Sequence, residues 1–207
     1  MSKRAFLLIT AMSAATITCA ATFADDTTEI LNGQINLDAA INVVAEGETQ
    51  EAGAATMAAI GSANALTVDV IERHDIASEQ TFSGDVDARA ATRAGIVHGT
   101  AVTTASAMGN AASVINDNGM DAEIDQTAQD GSTVSATAEL EIGSYAISSV
   151  TSATASANAY DAVSYGGENR HALRQDSGAD VSADSYVLAP AGGLGYAATV
   201  LGAANGN

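Results

Sequence analysis

A recurrence constrains this chain more than any other feature. Gln34, Gln80, Gln126 and Gln175 follow one another at steps of 46, 46 and 49 residues. Asn64, Asn110, Asn158 and Asn205 answer them, at 30, 30, 32 and 30 residues after each glutamine. Between these markers the residues alternate with period two. Ile35, Leu37, Ala39, Ile41 and Val43 are expected on one side of a strand, with Asn36, Asp38 and Asn42 on the other. Val86, Ala88 and Ala90 alternate with Asp85, Asp87 and Arg89, and Val134, Ala136, Ala138, Leu140 and Ile142 share a face in the third unit. This is the pattern of half-buried strands and does not fit a helical period.

The units read as about 32–77, 78–123, 124–172 and 173–207. A unit of this size buries little alone and gains a core by stacking on its neighbours. Fully extended it would run on the order of 150 Å, long for one compact coil. Each repeat is therefore expected to form two coils of a β-solenoid, or two to four strands of a hairpin array. The preferred fold is all-β, a β-solenoid or β-helix-like stack of about four repeats. Stacked antiparallel hairpins are the alternative, and the tight-turn sequence at Asn118-Gly119 is their best argument. In a solenoid, residues at one offset stack, so the recurring Gln and Asn would form amide ladders.

The first residues read as an export signal. Lys3 and Arg4 precede the apolar run Phe6-Leu7-Leu8-Ile9, and Thr22-Phe23-Ala24 offers a cleavage site. The expected division is a signal peptide at 1–24 and a β-repeat domain at 25–207, with a cut after Ala21 as the rival. Thr16, three before Cys19, does not suit a lipidation motif. Cleavage would remove the one cysteine, so packing and backbone pairing must hold the exported chain. It would also remove Lys3 and Arg4, taking the formal charge from −18 to about −20. Nucleic acid is thereby an unsuitable partner. No second apolar run reaches the length of a membrane span.

No catalytic, cofactor or metal residues are assigned, and no cofactor is expected. His74, His98 and His171 lie at different offsets and lack the spacing of a metal site. No GxSxG elbow marks a nucleophile. Asp85/Asp87 and Glu139/Glu141 are read as solvated strand-face residues, with a glycosidase pair as the alternative. Oxygen ligands concentrate at Asn116-Asp117-Asn118-Gly119, Asp121, Glu123 and Asp125, without EF-hand spacing. The eight Gln and Asn positions are assigned as structural repeat markers.

The motif Gln80-Thr81-Phe82-x-Gly84, the Ala/Thr/Ser alternation after it, and Met108-Gly109-Asn110-Ala111-Ala112 resemble the holdfast anchor protein D family of stalked alphaproteobacteria. The resemblance implies a protein of the cell surface and outer membrane. It would fix an adhesive polysaccharide holdfast to the envelope together with companion anchor proteins. It offers no catalytic residues. Self-association through β edges is a further expectation. A carbohydrate-active β-helix enzyme and an amyloid-like matrix subunit are the competing functions.

Overall fold

The computed structural model describes residues 6–18, 28–71, 73–190 and 193–207. Lys3, Arg4, Cys19, the expected cleavage site at 22–24 and Gly192 lie outside them. The described chain is all-β, one open sheet of nine strands. The strands are β1 (Phe6–Thr18), β2 (Thr28–Ala52), β3 (Ala54–Val70), β4 (His74–Asn116), β5 (Met120–Ala128), β6 (Thr133–Ser164), β7 (Asn169–Ser177), β8 (Asp180–Leu188) and β9 (Gly193–Asn205).

Every ladder among the described residues is parallel. Gln34 pairs with Gln80 and Gln80 with Gln126, while Gln126 pairs with Gln175. A whole repeat therefore separates each position from its ladder partner. This corrects both expectations for the interior of a repeat. Neither a second coil nor a hairpin strand intervenes, and Asn116–Gly119 turns the chain from β4 into β5, which pairs parallel with β4 itself. Gly119 (φ 92°) adopts a left-handed conformation there, as does Gly167 (φ 73°) one repeat later. A Cβ on Gly167 would lie 2.3 Å from the Asn118 carbonyl oxygen, so adjacent turns stack too closely for any side chain.

A repeat of this length is accommodated by folding back. The inner face of its first half packs on the inner face of its second half. The largest core cluster combines Val43, Val86 and Ala88 from first halves with Met57, Ala59 and Ala105 from second halves. Flanking clusters centre on Leu66, Val68, Ile76 and Ile124 at one end and on Val97, Leu140 and Ile142 at the other. Small residues make the fold-back possible. A Cβ on Gly109 would lie 2.9 Å from the Phe82 ring and 2.6 Å from the Ala157 oxygen. The absent side chain there is the space the ring occupies.

The alternation holds in repeats two and three. Val86, Ala88, Ala90, Ala101, Thr103, Ala105 and Ala107 are buried, as are Val134, Ala136, Ala138, Leu140 and Ile142. The first repeat departs from it. Ile35 and Leu37 are exposed at 69% and 55%, while Gln34 beside them is buried and Val43 further on is buried too. The cause is an irregularity between Asn36 and Ala39, with Asp38 at φ 54°. One additional residue in a strand reverses which side chains point inward. The apolar positions before and after it therefore face opposite ways, although their sequence spacing is unbroken.

Phe82 is fully buried in the central cluster. Phe82→Ala should cost about 3–5 kcal/mol and lower the Tm by roughly 10 °C. Thermal unfolding followed by circular dichroism measures this, and an unchanged Tm would contradict the packing described.

Candidate functional site

Two rows of side-chain amides run through the interior, between the central cluster and the cluster around Leu66. Gln80 and Gln126 are fully buried, as is Asn110. The Gln80 Nε2 donates to Gln34 Oε1 at 3.1 Å and to the Ala111 carbonyl at 3.0 Å. Gln126 Nε2 donates to Gln80 Oε1 at 2.7 Å and to the Ala159 carbonyl at 3.0 Å. Gln175 Nε2 donates to Gln126 Oε1 at 2.7 Å, and Gln34 Nε2 reaches the Ala65 carbonyl at 2.9 Å.

The asparagine row runs the other way. Asn64 Nδ2 donates to Asn110 Oδ1 at 2.8 Å, and Asn110 Nδ2 to Asn158 Oδ1 at 2.8 Å. Their remaining N–H groups meet the carbonyls of Thr81 and Thr127 at 2.9 and 3.0 Å. Asn158 Nδ2 donates to the Asp176 carbonyl and to Asn207 Oδ1, both at 2.9 Å. The fourth amide of this row is thus Asn207. Asn205, the marker chosen from the spacing, is an exposed ladder partner of Ser156. Gln34, Gln80 and Gln126 each bond a carbonyl of the opposite half of their own repeat, and Asn64, Asn110 and Asn158 each bond a carbonyl of the next repeat's first half. The rows join neighbouring repeats and also hold the two halves together. A buried amide that lacks such partners would carry a desolvation cost, so their complete pairing matters.

The backbone just before the asparagines is locally irregular. The second-half ladders skip Ala63 and Gly109, and then Gly109 and Ala157, between otherwise continuous partners. Residues 61–64 and 155–158 are buried in succession, so the alternation breaks at this kink. Ser62 and Ser156 hydroxyls donate to the carbonyls of Asn64 and Asn158 at 2.9 and 2.8 Å. Sequence reasoning missed the kink. Its signal is the small residue immediately before each asparagine: Ala63, Gly109 and Ala157.

The outer surface of the first halves carries charge. Thr133 and Ser135 hydroxyls donate to Asp85 and Asp87, both at 2.5 Å across the ladder. Arg89 lies 3.5 Å from Glu139, which also accepts from the Tyr186 hydroxyl at 3.1 Å, and Arg93 lies 3.2 Å from Glu141. The carboxylates considered as a glycosidase pair are therefore each engaged with a side chain of an adjacent repeat. Arg170 and Arg174 approach Asp121 and Asp125, each at 3.5 Å. Exposed pairs of this kind contribute little stability individually, but Asp121 and Asp125 face Asp75 and Glu79 across one ladder, and the arginines on their other side partly offset that repulsion.

His98 is exposed at a ladder irregularity, 2.9 Å from Glu51. His171 Nδ1 is 2.8 Å from the Tyr160 hydroxyl. Burial, and then the nearby Asp161 charge, raise the Tyr160 phenol above its ordinary pKa. The two histidines lie in different parts of the fold, and the His74 side chain is outside the described set. Among the described residues no group of three or more His, Cys, Asp or Glu is arranged to hold a metal ion. Asn116 Oδ1 accepts the Asn118 amide at 2.6 Å, and Asn118 Nδ2 donates to the Ile71 carbonyl at 2.8 Å, so this oxygen-rich stretch closes a turn. Among the described residues no helix is long and apolar enough to cross a membrane.

A protein-family model described as holdfast attachment protein D matches residues 49–207, more than half of the chain. No curated protein and no solved structure matches it.

Gln80→Ala removes a donor and an acceptor from the middle of its row. It should destabilise the chain by about 1–3 kcal/mol for each buried group left unpaired. Asn110→Ala should behave alike, whereas Gln175→Ala, partly exposed at the row's end, should cost less. Denaturant unfolding of the three variants tests the order, and equal small effects would contradict a joining role for the rows.

Proposed function

We infer that this chain, which belongs to the holdfast attachment protein D family, is an exported β-solenoid that anchors an adhesive polysaccharide to the cell surface. Its family is one of holdfast attachment, a structural role at the cell surface. The finer reading is our own. One repeat forms one coil, and companion anchor proteins of the outer membrane hold the stack in place.

The observation that carries this reading is the family match over residues 49–207, taken with the repeat-to-repeat amide rows. An anchor must transmit load along its length without unfolding. Parallel ladders and side-chain amides that join each repeat to the next suit that demand, because every repeat is bonded to its neighbours by backbone and side chain together. Export fits the N-terminal sequence, in which basic residues precede an apolar run and a small-residue cleavage site. Strands β2, β7, β8 and β9 each pair along one edge among the described residues. Such edges offer backbone donors and acceptors to companion proteins or to further copies. The engaged carboxylates on the outer surface favour the structural role over a carbohydrate-active one.

Cells lacking this chain should shed their holdfast into the medium and attach less under flow. Expression of the intact chain should restore retention. Microscopy with a holdfast stain, together with envelope fractionation, measures both. Unchanged retention, or a chain found wholly free in the medium, would contradict the anchor reading.

A further inference from the structure

Charge is sorted between the two halves of each repeat. Residues 53–68, 99–116, 142–160 and 193–207 contain no Asp, Glu, Lys, Arg or His. These stretches are the second halves, and they lie side by side in one run of parallel ladders: β3, the end of β4, the end of β6, and β9. Their outward side chains form level rows. Thr56, Val102, Val150 and Thr199 make one row, and Thr104 and Thr154 belong to the next two. All six are partly or fully exposed. The first halves carry the ion pairs and acidic rows already described. A chain of formal charge −18 thus keeps one broad, level, uncharged face.

We propose that this uncharged face docks a second copy of the same chain, sheet face against sheet face. Two copies repel one another wherever their acidic surfaces approach. The second-half faces can meet without that repulsion, and without burying an unpaired charge. The rows are mostly Ala, Ser, Thr and Val, with Leu201 and Ile60 among them, and such side chains suit two sheets at the usual spacing of about 10 Å. The area is sufficient. Four strands at about 4.8 Å span about 19 Å, and the 13 residues of β9 extend about 43 Å, giving about 800 Å² per copy. Stable protein interfaces bury about 800 Å² on each partner. A face meeting its own equivalent closes at two copies, unlike growth along sheet edges. The proposal is independent of the anchor reading, and either can fail alone.

The test is the solution mass of the purified chain by light scattering and sedimentation, up to about 100 µM. The expected result is twice the chain mass, with the dissociation constant falling as salt screens the acidic repulsion. Thr104→Arg and Thr154→Arg should each return the chain to monomer mass with unchanged circular dichroism. Ser182→Arg adds the same charge at an exposed position in a first half and should leave the dimer intact. Thr154 is exposed, so T154E serves as a second variant should the arginines impair folding. A monomer throughout the concentration range would overturn the proposal. So would an open series of oligomers, a dimer weakened by salt, or dimers equally tolerant of all the variants.

Discussion

The structure depends on like stacking on like, one full repeat apart. In a parallel in-register ladder each side chain has its equivalent at the same height on the next strand, about 4.8 Å away. For charges this is unfavourable; for amides it is favourable, because each amide is both donor and acceptor. Gln and Asn can therefore occupy the interior where an unpaired polar group would be costly. Here they are not isolated. Gln80 and Asn110 each bond the equivalent residue of a neighbouring repeat and a backbone carbonyl across the core. The two rows point in opposite directions, so their dipoles oppose.

The rest of the architecture follows from keeping that register. Several charged positions on the first-half surface meet a hydroxyl or an arginine across the ladder, as with Asp85 and Thr133 or Arg93 and Glu141, although Asp75 and Glu79 stack on Asp121 and Asp125. The turns at Gly119 and Gly167 stack closely because glycine removes the side chain. The core is thin and built largely of alanine and valine, since the two halves of each repeat lie close together. Phe82 is admitted because its neighbour across the core is Gly109.

Much of this was legible in the sequence because period two and the 46-residue recurrence are local arithmetic. The inward alanines of repeats two and three are where alternation puts them. The Gln positions align in the ladders because their steps are the ladder offsets. Three things were not legible. The number of coils per repeat is a property of how far the chain runs before folding back, which periodicity does not encode. The reversal at Asp38 depends on one irregular backbone position, and the residues around it retain an unbroken alternation. The choice of Asn207 over Asn205 depends on where the last strand ends. As for the outer surface, its sorting of charge between the halves is plain in the sequence. It acquires meaning only when the ladders bring four uncharged stretches side by side.

For a chain of the holdfast attachment protein D family, these features describe a parallel sheet whose neighbouring strands are joined by buried amides and whose two outer faces differ. The central claim is the register of one repeat per ladder step, and cysteine pairing tests it directly. Asp87 and Ser135 are ladder partners on the outer surface, and Ala111 lies about half a repeat from Asp87. In a Cys19→Ser background, Asp87→Cys with Ser135→Cys should close a disulfide under mild oxidation, because neighbouring strands place Cα atoms within its reach. Asp87→Cys with Ala111→Cys should stay open. Closure of the second pair and not the first, read by mass spectrometry, would contradict the account.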